Sequence, residues 1–447
     1  MKINSGIFKA YDIRGVYEKD FDEETAYTLG RAIVQFLKPK NVVVGYDMRS
    51  HSRVLFENLS KGIIEQGADV INIGLVSSPI NYYANWTMKA DVSVMITASH
   101  NPPEYNGFKI AIKGAQTLSN ETGLLDIKKL IDKNDFEKAE KKGEIIKKEI
   151  VSDYYKYILS YGKRTNLKIV SDYSNAMGVV EAGCLNEVAK VVPLYDNLDP
   201  NLSNHEANPA KHEVYNDLSL RVTKEKADLG ILFDGDADRV GFTDENGKII
   251  SPDLIIGLIG KYLIKKEVTK NVVYDLRSTK ALDEIFKNEG GKGVKVRVGN
   301  PFVKLAMKEN DASFGGELAG HFMFKENSYG ESALLTVIYI LNILEESKKK
   351  LSELVSVVSK YPRSEEINLE VEEKELVLEK LEAMYEDGKI NHMDGLSVEF
   401  NDWWFNIRMS NTEPVIRVNI EADDKNILKE KRRRILIDIQ EIIEHKK

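Results

Sequence analysis

The chain has 447 residues, 42% of them hydrophobic, which predicts several folded domains and excludes an intrinsically disordered chain. Its formal net charge of −8 argues against a nucleic-acid partner, and its single cysteine, Cys184, excludes a disulfide framework and a cysteine-based zinc site. The first residues carry no apolar run of signal-peptide length, and the longest apolar stretch, 334–344, is too short to cross a bilayer. We therefore expect a cytoplasmic protein with no membrane partner, whose oligomeric state the sequence leaves open.

Strand-like and helix-like segments alternate through the first third of the chain. β-Branched runs at 41–45, 69–73 and 91–96 predict short buried strands, and the apolar spacing of 52–66 predicts a helix between the first two. This alternation is typical of a mainly parallel sheet with helices on its faces. The stretch 133–148 is dense in charge and poor in apolar residues, so it predicts a domain boundary.

The same alternation then restarts twice. Strands are predicted at 167–171 and 229–233, and the Asn-Gly pair in 244–247 predicts a tight hairpin turn. Further strands are predicted at 271–274 and 294–297, ahead of a long helical region that includes the apolar stretch named above. These segments predict a second and a third domain of the same α/β kind.

The last part of the chain has a different pattern, with strands predicted at 404–409 and 415–421 and an amphipathic helix at the end. The predicted fold class is therefore α/β, with three similar domains of mixed, mainly parallel sheets and a smaller C-terminal α+β domain. Active sites of such chains form where domains meet, beside the carboxyl ends of strands. The predicted domain limits are 1–146, 147–248, 249–361 and 362–447.

The strongest chemical signal is the run 234–239, Asp-Gly-Asp-Ala-Asp-Arg, which begins where the predicted strand 229–233 ends. The carboxylates of Asp234, Asp236 and Asp238 can converge on one hard cation, and ligation by oxygen alone suits Mg²⁺. Without a cation these like charges would repel one another. An EF-hand is the nearest alternative, and Glu245 falls at its twelfth position, but Arg239 stands where that loop requires glycine.

A second loop, 97–103, reads Thr-Ala-Ser-His-Asn-Pro-Pro and follows the predicted strand 91–96. Its prolines stop any helix and stiffen the turn, so the hydroxyl of Ser99 is presented at the end of a strand. A serine in this position can attack phosphorus or carry a phosphoryl group when a metal neutralises the charge, although loop serines more often form turns. The sequence is compatible with two roles for His100, a hydrogen-bonding residue that supports the loop and a catalytic base.

Two further loops carry groups that suit a sugar phosphate. In 315–321, Gly-Gly-Glu-Leu-Ala-Gly-His, Glu317 can accept hydrogen bonds from sugar hydroxyls, and His321 can bind phosphate or exchange a proton. In 408–414, Arg-Met-Ser-Asn-Thr-Glu-Pro, hydroxyls, an amide and a guanidinium make a phosphate cradle, with Arg417 just beyond it. Either loop alone is also compatible with an ordinary polar turn.

Other phosphate and metal motifs fail in this sequence. No G-x-G-x-x-G follows a predicted strand, and there is no H-E-x-x-H. The segment 241–248 is similar to a P-loop, but five residues separate its glycines where the motif has four, and Ile249 replaces the Ser or Thr.

Taken in order, the loops resemble the TASHNP, DGDADR, GE-x-x-GH and R-x-SNT-x-P motifs of the α-D-phosphohexomutase family, which includes phosphomannomutases and phosphoglucomutases. The segment 8–15, Phe-Lys-Ala-Tyr-Asp-Ile-Arg-Gly, is similar to the family's opening signature. The match runs from about residue 8 to about residue 420. The resemblance implies a four-domain enzyme around a central cleft that interconverts hexose 6-phosphate and hexose 1-phosphate. Mannose phosphates are the expected substrates, with glucose phosphates as further candidates.

The resemblance also implies a role for each matching residue. Ser99 would be the phosphoserine and would hold Mg²⁺ together with Asp234, Asp236 and Asp238. Phospho-Ser99 would pass its group to a sugar monophosphate, giving a hexose 1,6-bisphosphate that also serves as activator. The implied catalytic residues are Ser99, Arg14, Lys109 and His321, of which the last two would exchange protons. The implied substrate-binding residues are Tyr11, Arg239, Arg277, Asn300, Glu317, Ala319, His321, Arg408, Ser410, Asn411, Thr412 and Arg417.

Three positions depart from the family pattern. Ala319 stands where the family usually has Ser, Asn300 stands where many members have His, and Arg277 stands where some have Lys. The first two can shift substrate preference or weaken phosphate binding, whereas Arg277 keeps the charge. Neither Ala319 nor Asn300 alters the serine or the predicted metal loop.

Three alternatives remain for the function. The Tyr11-Asp12-Ile13 form of the opening signature favours a phosphomannomutase over a phosphoglucosamine mutase. A Mg²⁺-dependent sugar-phosphate phosphatase with Asp234 as nucleophile is less favoured, because Ala237-Asp238 follow where haloacid-dehalogenase enzymes usually carry x-Thr or x-Val. A non-catalytic sugar-phosphate sensor would have no reason to keep Ser99 and all three aspartates.

Overall fold

A computed structural model describes residues 4–410 and 414–444 of the chain. Within these ranges no helix is long and apolar enough to cross a membrane. The chain forms four sheets in sequence order, three mixed and one antiparallel. The predicted site residues Asn411 and Thr412 lie outside the described residues.

The first sheet belongs to the N-terminal third of the chain. Its strands are β1 (Ile13–Val16), β2 (Asn41–Tyr46), β3 (Asp69–Leu75), β4 (Val92–Ile96), β5 (Tyr105–Ile112), β6 (Gln116–Thr117) and β7 (Ile145–Lys147). Its helices are α1 (Glu23–Leu37), α2 (Ser52–Glu65), α3 (Ser78–Thr87) and α4 (Leu124–Lys133). The strand order is β1-β5-β4-β2-β3-β7, parallel from β4 to β7 and antiparallel around β5.

The prediction of a mainly parallel sheet is confirmed for this domain. The charged stretch 133–148 ends in β7, an edge strand that pairs in parallel with β3, and the domain boundary expected near it stays a prediction. β7 reads Ile-Ile-Lys and is largely exposed, and the charged residues that flank it on both sides suit the exposed edge of a sheet.

The second sheet is also mixed. Its strands are β8 (Lys168–Asp172), β9 (Lys190–Leu194), β10 (Leu229–Phe233), β11 (Val240–Thr243) and β12 (Ile249–Ile250). Its helices are α5 (Val151–Leu159), α6 (Gly178–Glu181) and α7 (Asn216–Glu225). β8 pairs in parallel with β9 and β10, and β11 runs antiparallel to β10 and β12. The predicted hairpin turn is confirmed between β11 and β12, where Gly247 has a φ of 76°.

The third sheet has the order β14-β13-β15-β16. Its strands are β13 (Asn271–Asp275), β14 (Lys292–Val296), β15 (Phe314–Gly316) and β16 (Phe322–Phe324). The helices around it are α8 (Pro252–Lys265), α9 (Ala281–Asn288), α10 (Asn300–Glu309), α11 (Ala333–Ser347) and α12 (Leu351–Val358). The apolar stretch 334–344 lies in α11 and is buried throughout, so it is a core helix.

The fourth sheet is antiparallel, with the order β17-β21-β20-β19-β18. Its strands are β17 (Ile367–Glu370), β18 (Lys389–Asn391), β19 (Leu396–Glu399), β20 (Trp403–Met409) and β21 (Val415–Ala422). Its helices are α13 (Lys374–Met384) and α14 (Lys425–Glu444). The expected architecture of three α/β units and a smaller α+β unit is thus confirmed, while the residue limits of the domains stay predictions.

The cores of these units are not equally separate. One continuous cluster of buried side chains runs through the first three units and includes Met95 of β4, Phe233 of β10 and Phe314 of β15. The fourth unit has a core of its own, formed by residues between 371 and 439. The first three units are therefore held together by shared apolar packing, whereas the fourth meets them through the linker 359–366 and polar contacts.

Candidate active site

The serine loop after β4 and the aspartate loop after β10 are in direct contact. Ser99 Oγ donates a hydrogen bond to Asp234 Oδ2 at 2.9 Å, and His100 Nδ1 lies 3.2 Å from the same hydroxyl. Ser99 adopts a φ of 53°, and its amide donates to Thr97 Oγ1 at 2.9 Å. A Cβ at Gly235 would lie 2.1 Å from the Ser99 carbonyl oxygen, so this approach requires glycine.

The three aspartates form one buried cluster. One carboxylate oxygen from each of Asp234, Asp236 and Asp238 lies within 4.8 Å of the others. Burial, together with the charges of Asp238 and Asp236, raises the pKa of Asp234 well above its usual range. Burial also opposes ionisation of Asp238, but Lys109 and His321 outweigh it and hold the pKa of Asp238 well below its usual range. Concentrated negative charge of this kind calls for a cation.

The donor atoms of the cluster fit a divalent metal ion. Lys109 Nζ, on β5, donates to Asp236 Oδ2 at 2.6 Å and to Asp238 Oδ2 at 2.5 Å. The other oxygen of Asp236, Oδ1, is buried and has no hydrogen-bond partner among the described residues. Carboxylate oxygens and the Ser99 oxygen are hard ligands of the type that Mg²⁺ prefers. Asp234, Asp236, Asp238 and Ser99 are therefore the residues that could hold such an ion.

The loop after β15 joins the aspartate cluster through His321. Its Nδ1 lies 3.1 Å from Glu317 Oε2, and its Nε2 lies 3.3 Å from Asp238 Oδ1. Burial and Arg239 oppose its protonation, yet Asp238 and Glu317 raise the pKa of His321 to about 9. Protonated His321 forms ion pairs with both carboxylates, whereas the neutral imidazole accepts a hydrogen bond at Nε2 from Arg239 Nε at 3.0 Å. Glu317 Oε1 accepts from the Gly299 amide at 2.9 Å.

A cluster of arginines lies on the fourth sheet. Arg408 on β20 stands directly opposite Arg417 on β21. Arg408 Nη2 donates to Glu366 Oε2 at 3.0 Å, and Arg277 Nη1, from the third domain, lies 3.9 Å from the same oxygen. Arg277 is itself held by Asp275 at 2.9 Å. Like charges opposed across two strands are unfavourable without an anion, so this surface suits a phosphate group.

The loop that follows Arg408 is only partly described. The Ser410 amide donates to the Val415 carbonyl at 2.9 Å, and its own carbonyl accepts from Lys374 Nζ at 2.6 Å. These bonds fix the start of the predicted phosphate cradle beside the arginines. Asn411 and Thr412, predicted for the same cradle, fall outside the described residues.

The opening signature contacts the serine loop and the third domain. Arg14 pairs with Asp12 and donates from Nη1 to Asn101 Oδ1 at 2.7 Å, two residues beyond the serine. Tyr11 packs edge-on against Phe302 of α10, with 6.1 Å between ring centroids. The first domain thus brings Arg14 to the serine loop, while Tyr11 reaches the third domain.

The two unusual positions of the third domain have different surroundings. Asn300, at the start of α10, donates from Nδ2 to Glu331 Oε1 at 2.6 Å, and Glu331 also pairs with Lys304 at 2.7 Å. The Oδ1 atom of Asn300 is buried without a hydrogen-bond partner in the described part of the chain. Ala319 is half-buried in the loop between β15 and β16, where it offers no polar side-chain atom.

Four domain families match the chain in the order of its four sheets. All are described as phosphoglucomutase/phosphomannomutase: alpha/beta/alpha domain I over residues 5–138, domain II over 151–247, domain III over 251–361 and the C-terminal domain over 366–436. The chain belongs to the phosphoglucomutase/phosphomannomutase family. This confirms the family inferred from the order of the sequence motifs.

Individual members of the family are similar over nearly their whole length. A phosphomannomutase of Methanocaldococcus jannaschii is 41% identical over 430 residues, covering 95% of each chain. A phosphomannomutase/phosphoglucomutase of Pseudomonas aeruginosa is 35% identical, covering 95% of this chain and 93% of that protein. The crystal structure of a phosphoglucomutase/phosphomannomutase family protein from Burkholderia thailandensis superposes with a TM-score of 0.90 at 29% identity and 98% coverage of both chains.

One residue near the serine of this family member was missed by the sequence analysis. Arg49, just after β2, is 3% exposed and donates to four carbonyl oxygens around the serine loop. The acceptors and distances are Ser99 at 2.9 Å, Asn101 at 2.6 Å, Pro102 at 2.6 Å and Tyr105 at 3.1 Å. Asp47 lies 3.3 Å from its Nε. The available signal was charged residues directly after a buried strand, the same signal that marked Asp234.

Proposed function

We propose that the chain is a phosphosugar mutase that interconverts hexose 6-phosphate and hexose 1-phosphate, with mannose phosphates as main substrates and glucose phosphates also accepted. The observation that carries the proposal is the Ser99 hydroxyl at 2.9 Å from Asp234, inside a buried cluster of three carboxylates. A phosphatase of the aspartyl type would need Asp234 free to attack phosphorus, whereas here Asp234 accepts from Ser99. The names of relatives that span this chain support the same activity.

Asp234, Asp236, Asp238 and an oxygen of phospho-Ser99 would hold Mg²⁺, which when bound neutralises charge on the transferring phosphoryl group. The buried Oδ1 of Asp236, which has no hydrogen-bond partner in the part of the chain that the structure describes, supports this assignment. Lys109 and Arg239 add positive charge beside the same carboxylates. Phosphoryl transfer depends mainly on alignment and on such charge stabilisation.

The remaining steps are the bond and proton changes of phosphoryl transfer. As the phosphorus–Oγ bond of phospho-Ser99 breaks, a bond forms between phosphorus and a sugar hydroxyl oxygen. Lys109 and His321 are the proposed proton-exchange groups: the cation gives a proton to the leaving serine oxygen, and the neutral group that results takes the proton of the sugar hydroxyl. Ser99 then donates to Asp234, as the structure has it. The reverse transfer, with the other phosphate of the hexose 1,6-bisphosphate, completes the turnover.

The arginine cluster would bind the phosphate that does not react. Arg408, Ser410, Asn411, Thr412 and Arg417 form the proposed grip of the fourth domain, and Arg277 faces it from the third. Glu317 would accept hydrogen bonds from the sugar hydroxyls. Ala319 would bind the sugar more weakly than a serine at this position, because it has no hydroxyl group. Tyr11, Arg14 and Asn300 would complete the site, and a grip separate from the serine would allow both orientations of the bisphosphate to bind.

The test is the Ser99→Ala variant. It should carry no phosphate at the serine-loop peptide in mass spectrometry, and isomerisation should fall by at least about a thousandfold. Coupled assays use mannose 1-phosphate, glucose 1-phosphate and glucosamine 1-phosphate with hexose 1,6-bisphosphate present. The substrate with the highest rate of isomerisation identifies the preferred sugar. Ser160→Ala, an exposed serine at the end of α5, is the control and should stay fully active.

Three outcomes would contradict the proposal. No isomerisation of any substrate by the wild-type protein would exclude a mutase. Steady release of inorganic phosphate that survives Ser99→Ala would favour the phosphatase with Asp234 as nucleophile. A preference for glucosamine 1-phosphate would replace mannose and glucose as substrates and identify a phosphoglucosamine mutase.

A further inference from the structure

Glu366 lies between the arginines of the proposed phosphate grip. It ends the linker 359–366 and directly precedes β17, so it joins the third domain to the fourth. Its Oε2 accepts from Arg408 Nη2 at 3.0 Å and from Asn419 Nδ2 at 3.1 Å. Arg277 Nη1, across the domain boundary, lies 3.9 Å from the same atom. A single carboxylate oxygen therefore faces two arginines from two domains.

The other carboxylates of this cluster are fixed by the backbone. Asp275 accepts from the Leu318 amide at 2.7 Å, besides two bonds from Arg277. Asp394, 3.9 Å from Arg408 Nη1, accepts from the Val298 amide at 3.0 Å. No backbone N–H in the described ranges holds Glu366, whose side chain is 27% exposed. Of the three, Glu366 is the carboxylate held by side chains alone within the described ranges, so it can move without breaking a backbone hydrogen bond.

The charge state of Glu366 is set by its neighbours. Burial opposes ionisation, but Arg277, Arg408 and the amide of Asn419 outweigh it and lower the pKa of Glu366 below its usual value. It is therefore a carboxylate at neutral pH. A phosphate dianion bound to Arg408 would share one guanidinium with this carboxylate, and two anions on one cation repel each other.

We propose that Glu366 is a resident anion of the phosphate grip: it neutralises Arg277 and Arg408 when no ligand is bound, and the substrate phosphate displaces it. The proposal rests on the proposed function of Arg408 as a phosphate ligand. Glu366 lowers the affinity of the grip, which suits a mutase because the bisphosphate must leave the grip and rebind in each turnover. Its displacement also releases Arg277 from the fourth domain, which links phosphate binding to the contact between domains.

The test is Glu366→Gln, which keeps the shape and the hydrogen-bond acceptor but removes the charge. Binding of inorganic phosphate to the full-length protein is measured by titration calorimetry at low salt. The dissociation constant should fall about tenfold, because the competing charge is gone. Glu365→Gln is the matched control, since Glu365 is 84% exposed and, among the residues that the structure describes, pairs only with His212, at 3.7 Å. It removes the same charge one residue earlier and should leave the constant within about twofold.

Arg408→Met makes the assignment specific. By itself it should weaken phosphate binding, and the gain from Glu366→Gln should disappear in the double variant, because the two residues act on one guanidinium. Unchanged affinity in Arg408→Met would overturn the phosphate grip itself. Arg408→Met could weaken phosphate binding while Glu366→Gln leaves the dissociation constant unchanged or raises it. That result would overturn only the resident-anion role, and Glu366 would then be a structural residue that holds Arg408 in place.

Steady-state kinetics give a second, independent measurement. For Glu366→Gln the KM for hexose 1-phosphate and kcat should both fall, because the grip binds more tightly and releases the bisphosphate more slowly. If Glu366 only held Arg408 in place, Glu366→Gln would instead raise the KM. Glu366→Asp keeps the charge and should retain a phosphate affinity close to that of the wild type, and thermal unfolding of each variant confirms that it is folded. A tenfold gain in affinity in Glu366→Asp would contradict the charge argument.

Discussion

Among single residues, Arg49 shows how the serine can be held without any contact to its hydroxyl. The guanidinium is planar with five donors, and here it serves four carbonyl oxygens that lie along one loop. A lysine in its place could offer three donors from a single nitrogen and could not span the same acceptors. The position of Ser99 in the loop therefore depends on the shape of the Arg49 side chain as well as on its charge.

We predict that Arg49→Lys lowers kcat by about a hundredfold, because a displacement of roughly 1 Å at the reacting group costs that much. KM should change little, since the phosphate grip is on another domain. The measurement is kcat together with the rate at which bisphosphate phosphorylates Ser99, followed by mass spectrometry. Arg53→Lys, an exposed arginine on α2 paired with Glu57, is the control. Phosphorylation of Ser99 at the wild-type rate in Arg49→Lys would refute the positioning role.

At the scale of elements, the site is built from loops at the carboxyl ends of β4, β10 and β15. The closest approach is between the first two, where Gly235 meets the carbonyl of Ser99. A methyl group there would lie 2.1 Å from a backbone oxygen, so one of the two loops would have to move. A clash with backbone atoms at a strand end cannot be relieved by rotating a side chain.

We predict that Gly235→Ala separates the serine loop from the aspartate loop and lowers kcat by about a hundredfold. The three carboxylates stay on one loop, so the Mg²⁺ concentration for half-maximal activity should change much less than kcat. Both values come from a magnesium titration of the coupled assay. Gly6→Ala is the control, because its methyl group would meet only the Asn4 side chain among the described residues. A large loss of Mg²⁺ affinity with kcat preserved at saturation would contradict this account.

Much of this arrangement could be predicted at the same scale. A β-branched run marks β4 and an apolar run marks β10 because those strands are fully buried, and the loops that follow them carry the chemistry. Arg49 was missed because its partners are backbone carbonyls about 50 residues further on, which leave no pattern in the side chains. The hydrogen bond from the Asn300 side chain to Glu331 could not be predicted either, since packing of the third domain brings these two residues together. Sequence patterns locate strand ends, but packing between sheets decides which of them meet.

At the scale of the whole molecule, a buried glutamate, Glu181, lies at the junction of the first three domains. Glu181 of α6 accepts hydrogen bonds from Ser77 of the first domain at 2.5 Å and from Tyr154 of α5. Tyr154 in turn lies 3.5 Å from Ser332 of the third domain. Burial raises the pKa of Glu181 from its ordinary value of 4.5 to about 7, since both hydrogen bonds together do not offset the loss of hydration. The shared core thus includes a carboxyl group that titrates near neutrality.

The sign of the resulting pH dependence follows from linkage. Between about pH 4.5 and pH 7 the folded protein holds a proton on Glu181 that the unfolded chain has lost, so the free energy of unfolding decreases as the pH rises through this window. A difference of this size amounts to about 3 kcal/mol. Glu181→Gln stays neutral, and its carbonyl oxygen can accept from one of the two hydroxyls while its amide nitrogen donates to the other. We predict that it matches the wild type at pH 5 and is more stable than the wild type at pH 8, by up to about 3 kcal/mol.

The measurement is the difference in free energy of unfolding between the two proteins at each pH, from denaturant curves in the same buffers. Taking this difference cancels the titration of every other group, which the two chains share. Glu187→Gln, an exposed position six residues further along, is the control and should show the same small difference at both pH values. If Glu181→Gln shows equal differences at pH 5 and pH 8, Glu181 is ionised throughout and the junction is held by a buried anion. If the difference grows with pH, the three-domain core becomes less stable as this one carboxyl group loses its proton.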